Sequence, residues 1–151
     1  MAMISDDGVA VGLDERLCLA LYVASRAMTA RYRDVLSVLG LTYPQYLVMV
    51  LFWEEGTCTV SEVGARLHLE SSTLSPLLKR LQGMGLLTRT RGTRDERSVM
   101  VGLTEEGREL EERASGVPAQ IGAATGLGLE QQAVLVAELR GLAVCLEAAT
   151  C

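Results

Sequence analysis

Four cysteines (Cys18, Cys58, Cys145, Cys151) and one histidine, His68, are the soft nucleophiles and soft metal ligands of this 151-residue chain. Four thiols without a CxxC pair, beside one imidazole, do not build a closed zinc site. No Ser-His-Asp set, no glycine loop of the phosphate-cradling kind and no metal-ligand cluster is readable, so no cofactor or metal is implied and the chain does not read as an enzyme. Thiol redox chemistry is what remains. Taken alone, Cys18 reads more readily as a small inert core residue, because free cysteine is commonly buried. His68 reads as a surface residue in a turn, and Cys58 as structural.

The second chemical feature is a local run of cations. Net charge is −5 over the chain, which argues against a polyanionic partner when taken globally. Residues 66–97 nevertheless hold seven basic side chains (Arg66, Lys79, Arg80, Arg89, Arg91, Arg94, Arg97) against three acidic ones, for a net +4. The flanks, 1–65 and 98–151, are −4 and −5. Phosphate neutralisation depends on local charge, so a cationic middle on an acidic body fits a DNA-facing module as well as it fits a solvated basic face.

These residues need positioning elements. Hydrophobic residues are 49% of the chain and charged residues 22%, enough for a folded core. The longest apolar runs, Leu17–Ala24 and Tyr46–Trp53, are eight residues each, where about 20 are needed to span a bilayer. The first thirteen residues carry two Asp and no Lys or Arg, unlike a signal peptide. The expected compartment is therefore cytoplasmic, with reduced thiols and no membrane partner. A mean hydropathy of +0.26 points to apolar surface covered by a second chain.

Residues 1–12 read as a flexible arm. Apolar residues at three- and four-residue spacing from Leu13 to Leu39 predict one long helix ending near Gly40, whose stripe meets another subunit. Thr42-Tyr43-Pro44-Gln45 is a helix start that makes Tyr46–Trp53 a buried helix instead of a buried strand. Thr59–Glu62 is a second capping box, opening a helix to about Leu67. Ser71 or Ser72 is expected to cap a further helix to about Met84, with Pro76 tolerated if it falls in the first turn. Leu86–Arg91 and Ser98–Leu103 predict a hairpin with a charged tip at 92–97. Thr104 starts another helix. Ser115–Gly128, with four Gly and one Pro, is expected to interrupt it before an amphipathic final helix, Leu129–Ala149.

Helix, turn, helix and two-stranded wing make the predicted fold a mainly α winged helix-turn-helix over 42–103. Helices in 13–41 and 104–151 supply dimerisation. The second helix brings Ser71, Ser72, Thr73 and Ser75 to base edges and phosphates, with Lys79 and Arg80 clamping the backbone. Arg94 and Arg97 at the wing tip reach a minor groove, and Asp95 braces the loop. For either serine alone, capping is as good an account as base contact. The combination favours double-stranded DNA.

Leu17–Tyr22, Ser25-Arg26, Tyr32-Arg33, Leu41–Met49, Leu74–Leu81 and Asp95–Val99 together resemble the MarR-type transcriptional regulators, and more narrowly their OhrR branch, over residues 13–114. The resemblance implies a homodimeric repressor on a pseudo-palindromic operator, released when an organic hydroperoxide oxidises a cysteine matching Cys18. It implies that tyrosines matching Tyr32 and Tyr43 hydrogen-bond that sulfur. Tyr22 matches a further aromatic near the same pocket, Arg97 the family's wing arginine and Asp95 its partner.

Cys18 and Tyr32 are fourteen residues apart, about 21 Å along a continuous helix at 1.5 Å per residue. Any contact between them must then cross a dimer. The thiolate is the reacting form, and two phenol donors stabilise it. Oxidation to sulfenic acid, followed by a disulfide, would shift the two DNA-reading lobes. The family's second-cysteine route matches no residue here, since the stretch Ile121–Leu127 has Ala123 and Ala124 and no Cys. A low-molecular-weight thiol is therefore the expected resolving partner, with Cys145 and Cys151 as alternatives. Two other readings stay open: a regulator released by a non-covalent small ligand, and a thiol peroxidase.

Overall fold

Three threonines set the helix starts. Thr42 and Gln45 exchange hydrogen bonds, Thr42 N–H to Gln45 Oε1 at 2.9 Å and Gln45 N–H to Thr42 Oγ1 at 3.4 Å. Thr59 and Glu62 do the same at 2.7 and 3.2 Å. Thr104 Oγ1 accepts from Gly107 N–H at 3.0 Å. Each reciprocal pair satisfies backbone donors that a helix N-terminus leaves orphaned.

The computed structural model describes residues 12–91 and 98–149. In chain order the elements are α1 (Leu17–Leu36), α2 (Tyr43–Glu55), β1 (Cys58–Thr59), α3 (Val60–Leu67), α4 (Ser71–Gly83), β2 (Leu87–Arg91), β3 (Val99–Leu103), α5 (Glu105–Ala114), α6 (Val117–Thr125) and α7 (Leu129–Ala148). The strands form one antiparallel sheet in the order β1-β3-β2. Leu87 faces Leu103 and Arg91 faces Val99, while Cys58 faces Val101. This is a winged helix-turn-helix within a mainly helical chain. The wing tip, 92–97, lies outside the described residues, as do residues 1–11 of the arm predicted over 1–12 and residues 150–151, Cys151 among them.

The chain divides at Ser115 into two units. In the first, Leu36, Val48, Met49, Phe52, Val63, Leu74, Leu78, Leu81, Leu87 and Val101 are the most deeply buried large side chains. Burying each such side chain contributes about 1.5–3 kcal/mol, and together they tie α1, α2, α3, α4 and the sheet into one core. The Tyr46–Trp53 run is helical, as the cap at Thr42 requires.

Four expectations are corrected. The first helix does not run unbroken from Leu13. A 3-10 turn at Leu13–Glu15 is separated from α1 by extended Arg16, and a second 3-10 turn, Ser37–Leu39, closes at Gly40 with φ +68°. Neither Ser71 nor Ser72 caps α4. Glu70 holds the N-cap position with extended backbone and no side-chain capping bond, so both serines lie in the first turn. Pro76 is therefore past the first turn, inside the helix, and its missing N–H leaves the Ser72 carbonyl without its usual donor.

The remaining two lie in the second unit. Ser115–Gly128 is mostly helix. Pro118 stands in the first turn of α6, where no N–H is needed. Breaks are confined to Ser115-Gly116 and to the turn where Gly126 adopts φ +69°. α7 is helical but not two-faced. None of its residues is buried in the single chain, and Val134, Leu135 and Val136 are exposed consecutively, which no single stripe can hold.

Candidate DNA-reading surface and thiol site

On α4, Leu74, Leu78 and Leu81 are buried. Their spacing of four and three fixes one face inward and turns the rest outward. Ser71, Ser72, Thr73, Ser75, Lys79 and Arg80 are all exposed, so one helix brings together every residue expected of it on the side away from the core. The turn before it uses His68 in the left-handed region, φ 52° and ψ 44°, which lets α3 and α4 change direction between Leu67 and Ser71. His68 is exposed, in keeping with its reading as a surface residue.

The cationic run is not uniformly available. Arg66 pairs with Glu55 at 3.0 Å, so part of the local charge is neutralised within the chain. Arg89 and Arg91 are exposed on β2, two residues apart and so on one side of the strand. In the sequence they count only as charge, because alternation along a two-sided strand does not say which face meets a ligand. Arg94, Asp95 and Arg97 lie outside the described residues.

The tyrosines form a second group. Tyr32 of α1 and Tyr43 of α2 stack with ring centroids 4.0 Å apart and planes 10° from parallel. Tyr46 lies 5.6 Å from Tyr32, and Trp53 meets Tyr46 edge-on at 6.1 Å. Burial, and then the neighbouring Tyr43 and Tyr46 phenols, push Tyr32 up to about 12. Burial also raises Tyr43 and Tyr46. All three phenols thus stay protonated, and able to donate, throughout the neutral range. Tyr46 and Trp53 are additions that sequence reasoning misses. Their seven-residue spacing on one face of α2 is the signal that could find them.

Cys18 is the second residue of α1 and is exposed in the single chain. α1 runs as one α-helix from Leu17 to Leu36. Cys18 and Tyr32 therefore stand about 21 Å apart along it and do not meet within a protomer. Near Cys18 is Tyr22, whose phenol oxygen accepts from Arg26 Nη1 at 3.0 Å, with the guanidinium carbon 5.5 Å from the ring centre. Cys58 is buried on β1. Burial, then the Glu62 and Glu55 carboxylates, raise its thiol, outweighing the opposing effect of Arg66. It is placed to be inert. Cys145 is an exposed free thiol on α7, in the second unit.

Comparison with known proteins points the same way. The family model for transcriptional regulator SarA/Rot matches residues 31–113. The chain is 48% identical over 120 residues to an organic hydroperoxide resistance transcriptional regulator of Bacillus subtilis (strain 168), covering 80% of this chain and 78% of that protein. It is similar to the structure of reduced AbfR bound to DNA, with a TM-score of 0.74 and 33% identity over 89% of this chain and 94% of that one. A mutant MarR from E. coli, complexed with operator DNA, shares the fold with a TM-score of 0.77 at 22% identity, over 83% of this chain and 92% of that one.

Proposed function

This chain belongs to the MarR-type transcriptional regulators, in their organic hydroperoxide resistance branch, and from that premise we propose that it is a DNA-binding repressor which leaves its operator when an organic hydroperoxide oxidises Cys18. The protein acts as a homodimer in the cytoplasm. Ser71, Ser72, Thr73 and Ser75 read and anchor one half-site, while Lys79 and Arg80 hold phosphates. Arg94 and Arg97, with Asp95 bracing the loop, reach the adjacent minor groove. No single helix among the described residues is long and apolar enough to cross a membrane.

The observation that carries this reading is the separation on α1. Tyr32 and Tyr43 form one stacked pair, and Tyr32 stands about 21 Å along α1 from Cys18 of the same chain. Phenols so placed reach a sulfur of that kind only from a second copy. The apolar side chains left exposed at Leu17 and Val23 on α1, and at Leu135 and Leu139 on α7, support such a copy being present. A site shared between protomers couples chemistry to geometry. The thiolate accepts hydrogen bonds from the partner's protonated phenols. Its conversion to a larger, neutral sulfenic acid breaks that arrangement at the interface itself. Half-sites spaced about one DNA turn apart tolerate little relative movement of the two reading helices. A low-molecular-weight thiol then resolves the sulfenic acid as a mixed disulfide, unless Cys145 or Cys151 does so.

The test is intact mass spectrometry after one equivalent of cumene hydroperoxide, with and without a small thiol, alongside operator binding of Cys18→Ser. The expected result is one added oxygen or one thiol adduct at Cys18, and a variant that binds DNA but ignores peroxide. A Cys18→Ser protein that still leaves DNA on oxidation would overturn the reading. Stoichiometric consumption of peroxide, without turnover by a dithiol, separates it from a peroxidase.

One observation favours a second reading, release by a non-covalent ligand. A cleft of 310 Å³ lies between the start of α2 and α4, lined by Thr42, Pro44, Gln45, Thr73, Pro76, Leu77 and Arg80. Two of those residues, Thr73 and Arg80, belong to the reading helix.

A further inference from the structure

Thiol attack on a hydroperoxide has two charge problems, and the phenols assigned above address one of them. The sulfur must be an anion. The oxygen that leaves must also be relieved of its charge, because an alkoxide is a poor leaving group in the absence of a proton. Tyr32 and Tyr43 are suited to the first task and unsuited to the second. They lie against one another, and burial holds their protons tightly.

Tyr22 is differently equipped. Cys18, Tyr22 and Arg26 follow one another at four-residue spacing along α1. Such neighbours stand one turn apart on the same side, with Cβ atoms about 5–6 Å from each other. Arg26 donates to the Tyr22 phenol oxygen at 3.0 Å and holds its guanidinium 5.5 Å from the ring centre. A phenol whose oxygen accepts from a cation has a more polarised O–H bond, and its phenolate has a counter-ion already in place.

We propose that Arg26 and Tyr22 form the proton-supplying half of the oxidation site: Tyr22 donates to the leaving alkoxide, and Arg26, a positioning residue, orients Tyr22 and carries the charge. The Cys18 thiolate attacks the terminal oxygen of the hydroperoxide, so an S–O bond forms and the O–O bond breaks. Sulfur is oxidised to sulfenic acid and the peroxide is reduced. The departing alkoxide takes the Tyr22 proton and leaves as an alcohol. The phenolate, held by Arg26, recovers a proton from water. The inference rests on Cys18 being the reacting sulfur.

Leaving-group chemistry provides the test. Second-order rates of Cys18 oxidation are measured for the wild-type dimer, Arg26→Ala, Arg26→Lys, Tyr22→Phe and the Ala/Phe double variant. Each is treated with cumene hydroperoxide and with a peracid, whose leaving carboxylate needs no proton. With cumene hydroperoxide, Arg26→Ala and Tyr22→Phe are each expected to be slower by about 100-fold, at the lower end of general-acid effects. The double variant is expected to be no slower than either, because the pair acts as a unit. Arg26→Lys recovers most of the rate. With the peracid all variants approach wild type. Equal deficits with both oxidants, additive losses in the double variant, or an undiminished rate in Arg26→Ala would overturn the proposal. A wild-type protein in which Cys18 is not oxidised at all would instead defeat the sensing role of Cys18, and is distinguishable because it precedes any variant.

Discussion

The Trp53 indole N–H donates to the Gly107 carbonyl oxygen at 2.9 Å, across 54 positions of sequence. Trp53 is also the last ring of a continuous aromatic series, Tyr43, Tyr32, Tyr46 and Trp53. Gly107 in turn lies against the backbone at the root of the wing, where a Cβ at 107 would collide with the Leu86 carbonyl oxygen. The phenols proposed to meet the sensing sulfur are thus joined by direct packing to the segment from which β2 departs. Thr104 reinforces that root, its N–H donating to Leu86 O at 3.1 Å and its hydroxyl to Gly85 O at 2.5 Å.

Gly107→Ala should therefore be costly. The neighbour it meets is backbone, which cannot swing aside, and overpacking of this kind costs about 1–3 kcal/mol. Thermal unfolding is expected to show that loss together with weakened operator binding, because the wing root must move. Trp53→Phe should lose about 1 kcal/mol for the missing hydrogen bond with a smaller effect on DNA affinity. A Gly107→Ala protein as stable as wild type would contradict the close packing at Leu86.

Alkaline titration should expose the buried phenols. Tyr32 is raised to about 12, and Tyr43 and Tyr46 are raised above 10.0, each first through burial. A folded state that holds these protons more tightly than the unfolded chain keeps full stability below pH 10, then loses it as pH rises towards 12. Phenolate absorbance followed against pH should show tyrosines titrating above the ordinary value in the folded protein. Tyr32→Phe should remove part of that high-pH component and lessen the alkaline loss of stability.

Thiol labelling should be selective. Cys58 is buried and its thiol is raised by burial and by the Glu62 and Glu55 carboxylates, so it should resist iodoacetamide in the native protein at about pH 8, near the ordinary thiol range. Cys18 and Cys145 are exposed in the single chain. Peptide mapping before and after unfolding provides the measurement. Prompt native labelling of Cys58 would mean that β1 opens readily from β3.

Lys79→Ala should weaken operator and non-operator DNA alike. Lys79 is exposed on the reading helix, and a side chain that holds a phosphate carries no sequence information. Without that ammonium, the slope of log affinity against log salt should become shallower by about 0.9 for each phosphate no longer neutralised. Arg97→Ala should also weaken operator binding with little effect on folding. A salt series on both variants, with thermal unfolding as control, checks each outcome.

Local chemistry in the sequence determined three helix starts and which face of α4 is left exposed. Reciprocal caps at Thr42–Gln45 and Thr59–Glu62, and the single cap at Thr104, act within three residues of chain. The helix starts they set were legible without any tertiary information. The alternation of buried Leu74 and Leu78 with exposed serines and cations on α4 is equally local. The sequence also separated Cys18 from Tyr32 by its length alone, since helix rise is a constant of the backbone. Tertiary structure decided what depends on residues distant in sequence. These include the pairing of Arg66 with Glu55 and the stacking of Tyr32 on Tyr43. The fit of Gly107 under Leu86 and against Trp53 belongs with them. Such contacts are chosen by which helices pack together and at what angle, and no short-range spacing encodes that choice.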